Sequence, residues 1–278
     1  MPLSPTGDIT GAAHARRSGV GAFNVVQLEH AEAIVAGAER AGLPVVLQIS
    51  ENTARYHGGL APVGLASLAL ARAARVPVAV HLDHAESAEL VREAVELGFS
   101  SVMFDASKLP YEENVAATRA IAEYCHRSHV WVEAELGEVG GKDGAHAPGV
   151  RTDPAEARAF TGATGVDALA VAVGSSHAML TRDAVLDFVL IERLRAAVGV
   201  PLVLHGSSGV GDGDLAKAVA AGMTKVNIST HLNKLFTRTV REQLAVAPEV
   251  ADPRKYLGPA RAAVETEVAR LIGVLHRN

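Results

Sequence analysis

Eight short apolar runs recur along the chain, each followed by a stretch rich in Ala whose apolar positions repeat at a helical spacing. The runs are Gly21 to Val26, Pro44 to Ile49, Val76 to Leu82, Ser100 to Phe104, Val130 to Ala134, Val166 to Val173, Val200 to Leu204 and Thr224 to Ile228. Most are continuous rather than alternating, which suits strands covered on both faces and so predicts a parallel sheet wrapped by helices. Helices are expected over Leu28 to Ala41, Leu60 to Arg75, Ser87 to Leu97, Glu112 to His126, Pro154 to Thr161, Ala184 to Val198, Asp214 to Ala221 and Leu232 to Leu244. Gly42, Gly98, Gly165, Gly199 and Gly222 stand between a helix and the next strand, where a left-handed residue commonly ends a helix. Eight alternations predict an α/β chain folded as one (β/α)8 TIM-barrel domain over residues 1–278, with an open doubly wound sheet as the alternative. Asp252 to His276 reads as an extra amphipathic C-terminal helix that covers the barrel or meets a second subunit. The Gly-rich polar segment Gly137 to Asp153 reads as a mobile loop on the active face.

Composition narrows the partners. Against 31 Asp and Glu stand only 26 Lys and Arg, a formal net charge of −5, so the clustered cationic excess that nucleic-acid binding requires is absent. Cys125 is the single cysteine; it forms neither an internal disulfide nor a Cys-rich metal site, which suits a reducing cytoplasm. The first ten residues are polar and no run approaches the roughly 18 apolar residues of a membrane span, so neither export nor membrane insertion is expected. A small molecule is the expected partner.

Polar residues stand at the ends of the apolar runs, where barrel enzymes build their sites. Asn24, Ser50, Asp83 with His84, Asp105, Glu135, His177, His205, and Asn227 with Ser229 all lie at or just beyond a strand end. Any one Asn, Asp or Ser there also serves as a helix cap; eight coincident ends are harder to explain that way. His84, His177 and His205 fall at three different ends, and three neutral imidazoles with an open position make a catalytic zinc shell. Asp83 beside them suits proton transfer next to a Lewis acid, with orientation of a neighbouring histidine as the plainer role. Asp105 and Glu135 suit either support of the ligands or an alternative cation position. His81, two residues before Asp83, is expected on the same interior face, packed there or orienting the aspartate. The remaining histidines of helices and loops, His30 among them, are expected to be solvent-exposed. The turns from Gly174 to Ala178, from His205 to Gly209 and from Asn227 to Thr230 offer backbone N–H groups and small hydroxyls at the ends of strands six to eight, an address where barrels bind phosphate.

These segments, in this order, resemble the class II, zinc-dependent fructose-bisphosphate and tagatose-bisphosphate aldolase family, from GAFNVV at residue 21 through HLDH, SVMFDAS, VEAELGEVGG, VGSSH, PLVLHGSSG and KVNIST to DPRKYLGPAR at residue 252. The resemblance implies reversible cleavage of a ketose phosphate to dihydroxyacetone phosphate and an aldehyde. It implies catalytic zinc on His84, His177 and His205, Asp83 as the proton-transfer residue for the C4 hydroxyl, and Asp105 and Glu135 as an alternative metal position. It places the dihydroxyacetone phosphate portion against Asn24, Ser50, Ala178, Gly206, Ser208, Asn227, Ser229 and Thr230, with a monovalent cation, Na+ or K+, near the phosphate loops. The acid of the mobile loop is matched loosely by Asp143. A homodimer or homotetramer is implied as well. Departures bear on substrate choice: Ala178 replaces the usual Gly after the second zinc histidine, and Thr181, Ser229 and Asn233 stand where fructose-bisphosphate members commonly carry Lys, Asp and a basic residue. These changes suit tagatose-type, monophosphate or less common ketose substrates as well as fructose 1,6-bisphosphate, with Arg254 or Arg261 of a neighbouring subunit as a source of positive charge. Two other functions fit the residues: a zinc hydrolase on the same barrel, and a non-catalytic partner of an aldolase.

Overall fold

The computed structural model describes residues 3–136, 151–176 and 179–276. Eight parallel strands close into a barrel in sequential order: β1 (Val20–Asn24), β2 (Val45–Ser50), β3 (Val78–Ala85), β4 (Ser101–Phe104), β5 (Trp131–Glu135), β6 (Ala168–Ala170), β7 (Leu202–Leu204) and β8 (Met223–Ile228). Closure comes from β1 pairing with β8, Ala22 opposite Asn227. The eight apolar runs are the eight strands, and the open-sheet alternative is excluded.

Each strand sends alternate residues inward and outward. Outward residues such as Phe23, Leu47, Val80, Leu82, Val132, Leu169 and Leu204 are fully buried against the helices in the main core. That layer contains α2 (Leu28–Ala41), α4 (Ala61–Ala73), α5 (Ala88–Leu97), α6 (Tyr111–His126), α7 (Pro154–Thr164), α8 (Phe188–Ala197), α9 (Asp212–Ala221) and α10 (Thr230–Val246). Helices α2, α5 and α7 end on the left-handed glycines Gly42, Gly98 and Gly165, and Gly222 has φ 141° after α9. Gly199 departs from expectation: α8 ends one residue earlier on Val198 in an extended conformation, and no left-handed residue is used there.

Two helices escape the apolar periodicity. Helix α1 (Thr6–Arg16) contains two glycines and two threonines, all poor helix formers, and is held by what it covers. Its Ile9 and Ala13 pack against Val20, Ala22, Val46 and Ala79, closing the N-terminal end of the barrel, and its Thr6 hydroxyl lies 2.6 Å from that of Ser101. Helix α3 (Glu51–Tyr56) is a six-residue turn begun by Ser50. The C-terminal helix α11 (Arg254–His276) covers the barrel, packing along α2 and α10. Gly37 makes that contact possible, since a Cβ there would sit 2.7 Å from the Glu265 carbonyl oxygen. Among the described residues, no helix is long and apolar enough to cross a membrane.

Candidate active site

The interior of the barrel is apolar at its floor and polar toward its C-terminal mouth. Period-two geometry stacks Asp83 above His81, Glu135 above Glu133, His205 above Val203 and Asn227 above Lys225, while Asn24 and Ser50 end β1 and β2. A regular strand would send His84 away from Asp83. The β3–β4 register shifts between Leu82 and Ala85, and His84 takes a left-handed backbone with φ 51°, so both side chains reach the mouth.

There His84 Nδ1 lies 2.7 Å from Asp105 Oδ2. His205 Nε2 lies 2.9 Å from Glu133 Oε1, and its Nδ1 lies 3.4 Å from Glu135 Oε2. The two imidazole rings meet edge to face with centroids 4.7 Å apart. His84, Glu135 and His205 each present one donor atom, and these three atoms lie within 4.8 Å of one another. Each histidine holds one ring nitrogen against a carboxylate, His84 against Asp105 and His205 against Glu133, the bracing that commonly orients a metal-ligating imidazole. Burial would lower the His205 pKa, but hydrogen bonds to Glu133 and Glu135 outweigh it and push the value up to about 9. Surroundings that favour an extra proton on this ring also favour a divalent cation.

Asp83 is 3 % exposed. Burial opposes its ionisation, yet electrostatic interaction with the neighbouring His84, Lys225 and His205 holds its pKa down to about 2, so it stands as a carboxylate. Asn24 Nδ2 donates to Asp83 Oδ2 at 2.9 Å, and Gln48 Nε2 donates to Asn24 Oδ1 at 2.7 Å, which fixes the orientation of the amide. Asp83 Oδ1 accepts no hydrogen bond among the described residues and so is available to a substrate hydroxyl. His81 lies inside the barrel as expected, with Nδ1 2.8 Å from the Ser101 hydroxyl, and burial foremost lowers its pKa to about 3.

The loops after β7 and β8 are tied together at Ser208, whose hydroxyl accepts the backbone N–H groups of Ser229 at 3.3 Å and His231 at 3.1 Å. Gly206 has φ 65°, and a Cβ there would lie 2.5 Å from the Ser176 carbonyl, so only glycine lets the β6 and β7 loops approach this closely. Thr230 opens α10, and with Ser208, Lys234, Arg238 and Arg241 it lines a cleft of about 780 Å³. Ser50 has a structural duty as well, since its hydroxyl accepts the Thr53 N–H and caps α3. Arg254 and Arg261 are ion-paired within the chain, to Asp252 and Glu32. His177, Ala178 and Asp143 lie outside the described residues, as does most of the expected loop.

Three participants were missed by a reading of strand ends, namely Gln48, Glu133 and Lys225. All are fully buried one step below the mouth, with Lys225 Nζ 2.8 Å from Glu133 Oε2 and 2.9 Å from Asn227 Oδ1. The available signal was a charged or amide residue in mid-strand, two positions before a polar strand end. His30 corrects another expectation: it is buried, not exposed, and stacks on Phe236 with centroids 4.7 Å apart.

The family model described as fructose-bisphosphate aldolase class-II matches residues 4–278. The fructose-bisphosphate aldolase of Geobacillus stearothermophilus is 44% identical over 253 residues, covering 90% of this chain and 88% of that protein. The fructose-bisphosphate aldolase of Staphylococcus aureus strain Mu50 is 41% identical over 272 residues, covering 96% and 95%. Among solved structures, the YdjI aldolase of Escherichia coli K12 superposes with a TM-score of 0.86 at 31% identity, covering 98% of this chain and 97% of that one.

Proposed function

Because this chain belongs to the class II fructose-bisphosphate aldolase family and is therefore a carbon–carbon lyase, we propose that it reversibly cleaves a ketose bisphosphate, fructose 1,6-bisphosphate first among the candidates, to dihydroxyacetone phosphate and an aldehyde, with zinc as its metal. One observation carries this reading: an ionised Asp83 with an uncommitted oxygen stands beside a cluster of two imidazoles and a carboxylate at a barrel mouth.

The donor set suits zinc, since His84, Glu135 and His205 converge and each imidazole is braced by a second carboxylate. His177 is the proposed third imidazole, with Glu135 and Asp105 serving an alternative metal position. When bound, zinc supplies Lewis-acid polarisation of the substrate oxygens at C2 and C3. Asp83 Oδ1 takes the proton of the C4 hydroxyl while Asn24 holds the other carboxylate oxygen. The C3–C4 bond then breaks, C4 becomes the aldehyde carbon, and the electron pair left toward C3 is quenched by a proton, for which Asp143 is the proposed donor. Gly206, Ser208, Asn227, Ser229 and Thr230, with Ser50 and the backbone of Ala178, are proposed to receive the dihydroxyacetone phosphate portion, with Na+ or K+ near its phosphate.

The replacements at Thr181 and Asn233 thin the positive charge expected for a second phosphate, whereas Ser229 in place of an acid removes a negative one, and Lys234, Arg238 and Arg241 in the neighbouring cleft supply cations that favour a bisphosphate. Assembly as a homodimer or homotetramer is part of the same proposal, supported by Leu180, Val185 and Val189, apolar side chains that lie largely in solvent.

A coupled assay for dihydroxyacetone phosphate across fructose 1,6-bisphosphate, tagatose 1,6-bisphosphate and fructose 1-phosphate tests this. We expect triose phosphate release, with a bisphosphate favoured by about tenfold or more in kcat/KM. A zinc-loaded protein that releases none from the whole panel overturns the reading. Water incorporation without carbon–carbon cleavage would then identify a hydrolase, and inertness throughout a non-catalytic partner.

A further inference from the structure

The layer immediately beneath the mouth is where barrel interiors are usually filled by branched apolar side chains, yet here it contains Gln48, His81, Glu133 and Lys225, all with no solvent exposure. Lys225 and Glu133 form an ion pair at 2.8 Å in that layer. Stripping water from both charges costs several kcal/mol per ion, and a well-packed apolar pair of similar volume is commonly as stable or more so. Stability of the fold therefore does not explain the pair, whereas its two outward connections do. Glu133 Oε1 lies 2.9 Å from His205 Nε2, so the carboxylate is shared between lysine and imidazole. Lys225 Nζ also donates to Asn227 Oδ1 at 2.9 Å, which commits that oxygen and turns the amide nitrogen of Asn227 to other acceptors. Both connections run upward to residues at the mouth, one on the side of the metal cluster and one on the side of the phosphate loops.

We propose that Lys225 is a positioning residue: with Glu133 it forms a buried strut that holds the His205 ring in its metal-donating orientation and the Asn227 amide in its substrate-donating one. The strut rests on the aldolase reading above, because it presumes that His205 binds the metal and Asn227 the substrate. Lys225 lies one layer below both residues, fully buried. Its part is to neutralise Glu133 without letting water in, so that the carboxylate stays ionised and fixed against the imidazole, and to supply a rigid donor for one end of an amide that otherwise flips. Lysine suits the task because its three N–H donors on a flexible stem serve Glu133 and Asn227 from one point.

The test compares the zinc-loaded parent with Lys225→Met, which keeps the stem and removes the charge. Expected in the variant are zinc affinity weaker by about 10–100-fold in a chelator competition and a KM for fructose 1,6-bisphosphate raised about tenfold. Replacing zinc by cobalt should also give an altered visible spectrum, which a purely structural role would leave unchanged. Should Lys225→Met fail to fold because Glu133 is left as an unpaired buried charge, Lys225→Met with Glu133→Gln removes both charges and keeps an acceptor for His205 Nε2. That double variant is expected to be at least as heat-stable as the parent and still weaker for zinc. A folded single or double variant with parental zinc affinity, KM and cobalt spectrum overturns the strut. A parent that binds no zinc or releases no triose phosphate overturns the aldolase reading instead, so the two failures are told apart.

Discussion

Replacing Asp83 by Ala is expected to cut kcat by about 10²–10⁴-fold, the range a positioned general base contributes, while the protein still takes up zinc. The side chain is buried and ionised, one oxygen is fixed by Asn24, and the other has no protein partner among the described residues. Among the described residues the neighbouring imidazoles are engaged elsewhere, His84 with Asp105, and His205 with Glu133 and Glu135. Asp83→Asn is the sharper variant, since it keeps the volume and an oxygen for Asn24 while removing the basicity. Zinc content by elemental analysis and turnover by triose phosphate release are measured on the same preparation. Parental turnover in either variant would remove Asp83 from the mechanism.

His205→Ala should be more damaging, because it strikes metal binding and stability together. The imidazole is fully buried between Glu133 and Glu135, and deleting it takes a shared partner from two buried carboxylates. Breaking a buried pair in this way costs about 3–5 kcal/mol, a large part of the stability of an ordinary domain. We expect loss of zinc, activity at background and a clearly lower urea midpoint. His84→Ala, at the rim with an 11 % exposed side chain, should lose zinc with a smaller drop in stability. Stoichiometric zinc in folded His205→Ala would show that the cation sits elsewhere.

The fold was legible because its strands announce themselves as continuous apolar runs, and burial on both faces leaves that pattern few other meanings. Limits appeared where tertiary contacts decide local structure. Helix α1 contains Gly7, Gly11, Thr6 and Thr10, and is helical because it closes the barrel floor; nothing in its own spacing required it. The run from Val166 to Val173 is paired as a strand only over Ala168–Ala170. The candidate site was legible at Asn24, Asp83, His84, Asp105, Glu135, His205 and Asn227, which the barrel gathers at its mouth, because polar residues interrupt apolar runs at their ends. It was not legible at Glu133 and Lys225, whose meaning comes from neighbours on other strands, 92 positions apart in sequence. Nor does the string HLDHA show that Asp83 and His84 face the same way; the register shift and the left-handed His84 produce that.

The central claim is that a divalent metal held by His84 and His205, with His177 as the proposed third imidazole, and a base at Asp83 together cleave a ketose phosphate. Its most direct test assays dihydroxyacetone phosphate release from fructose 1,6-bisphosphate by the purified protein before chelation, after exhaustive removal of metal, and after zinc is returned. The account predicts activity, then background, then recovery at about one zinc per chain. Undiminished cleavage by the metal-free protein would contradict it.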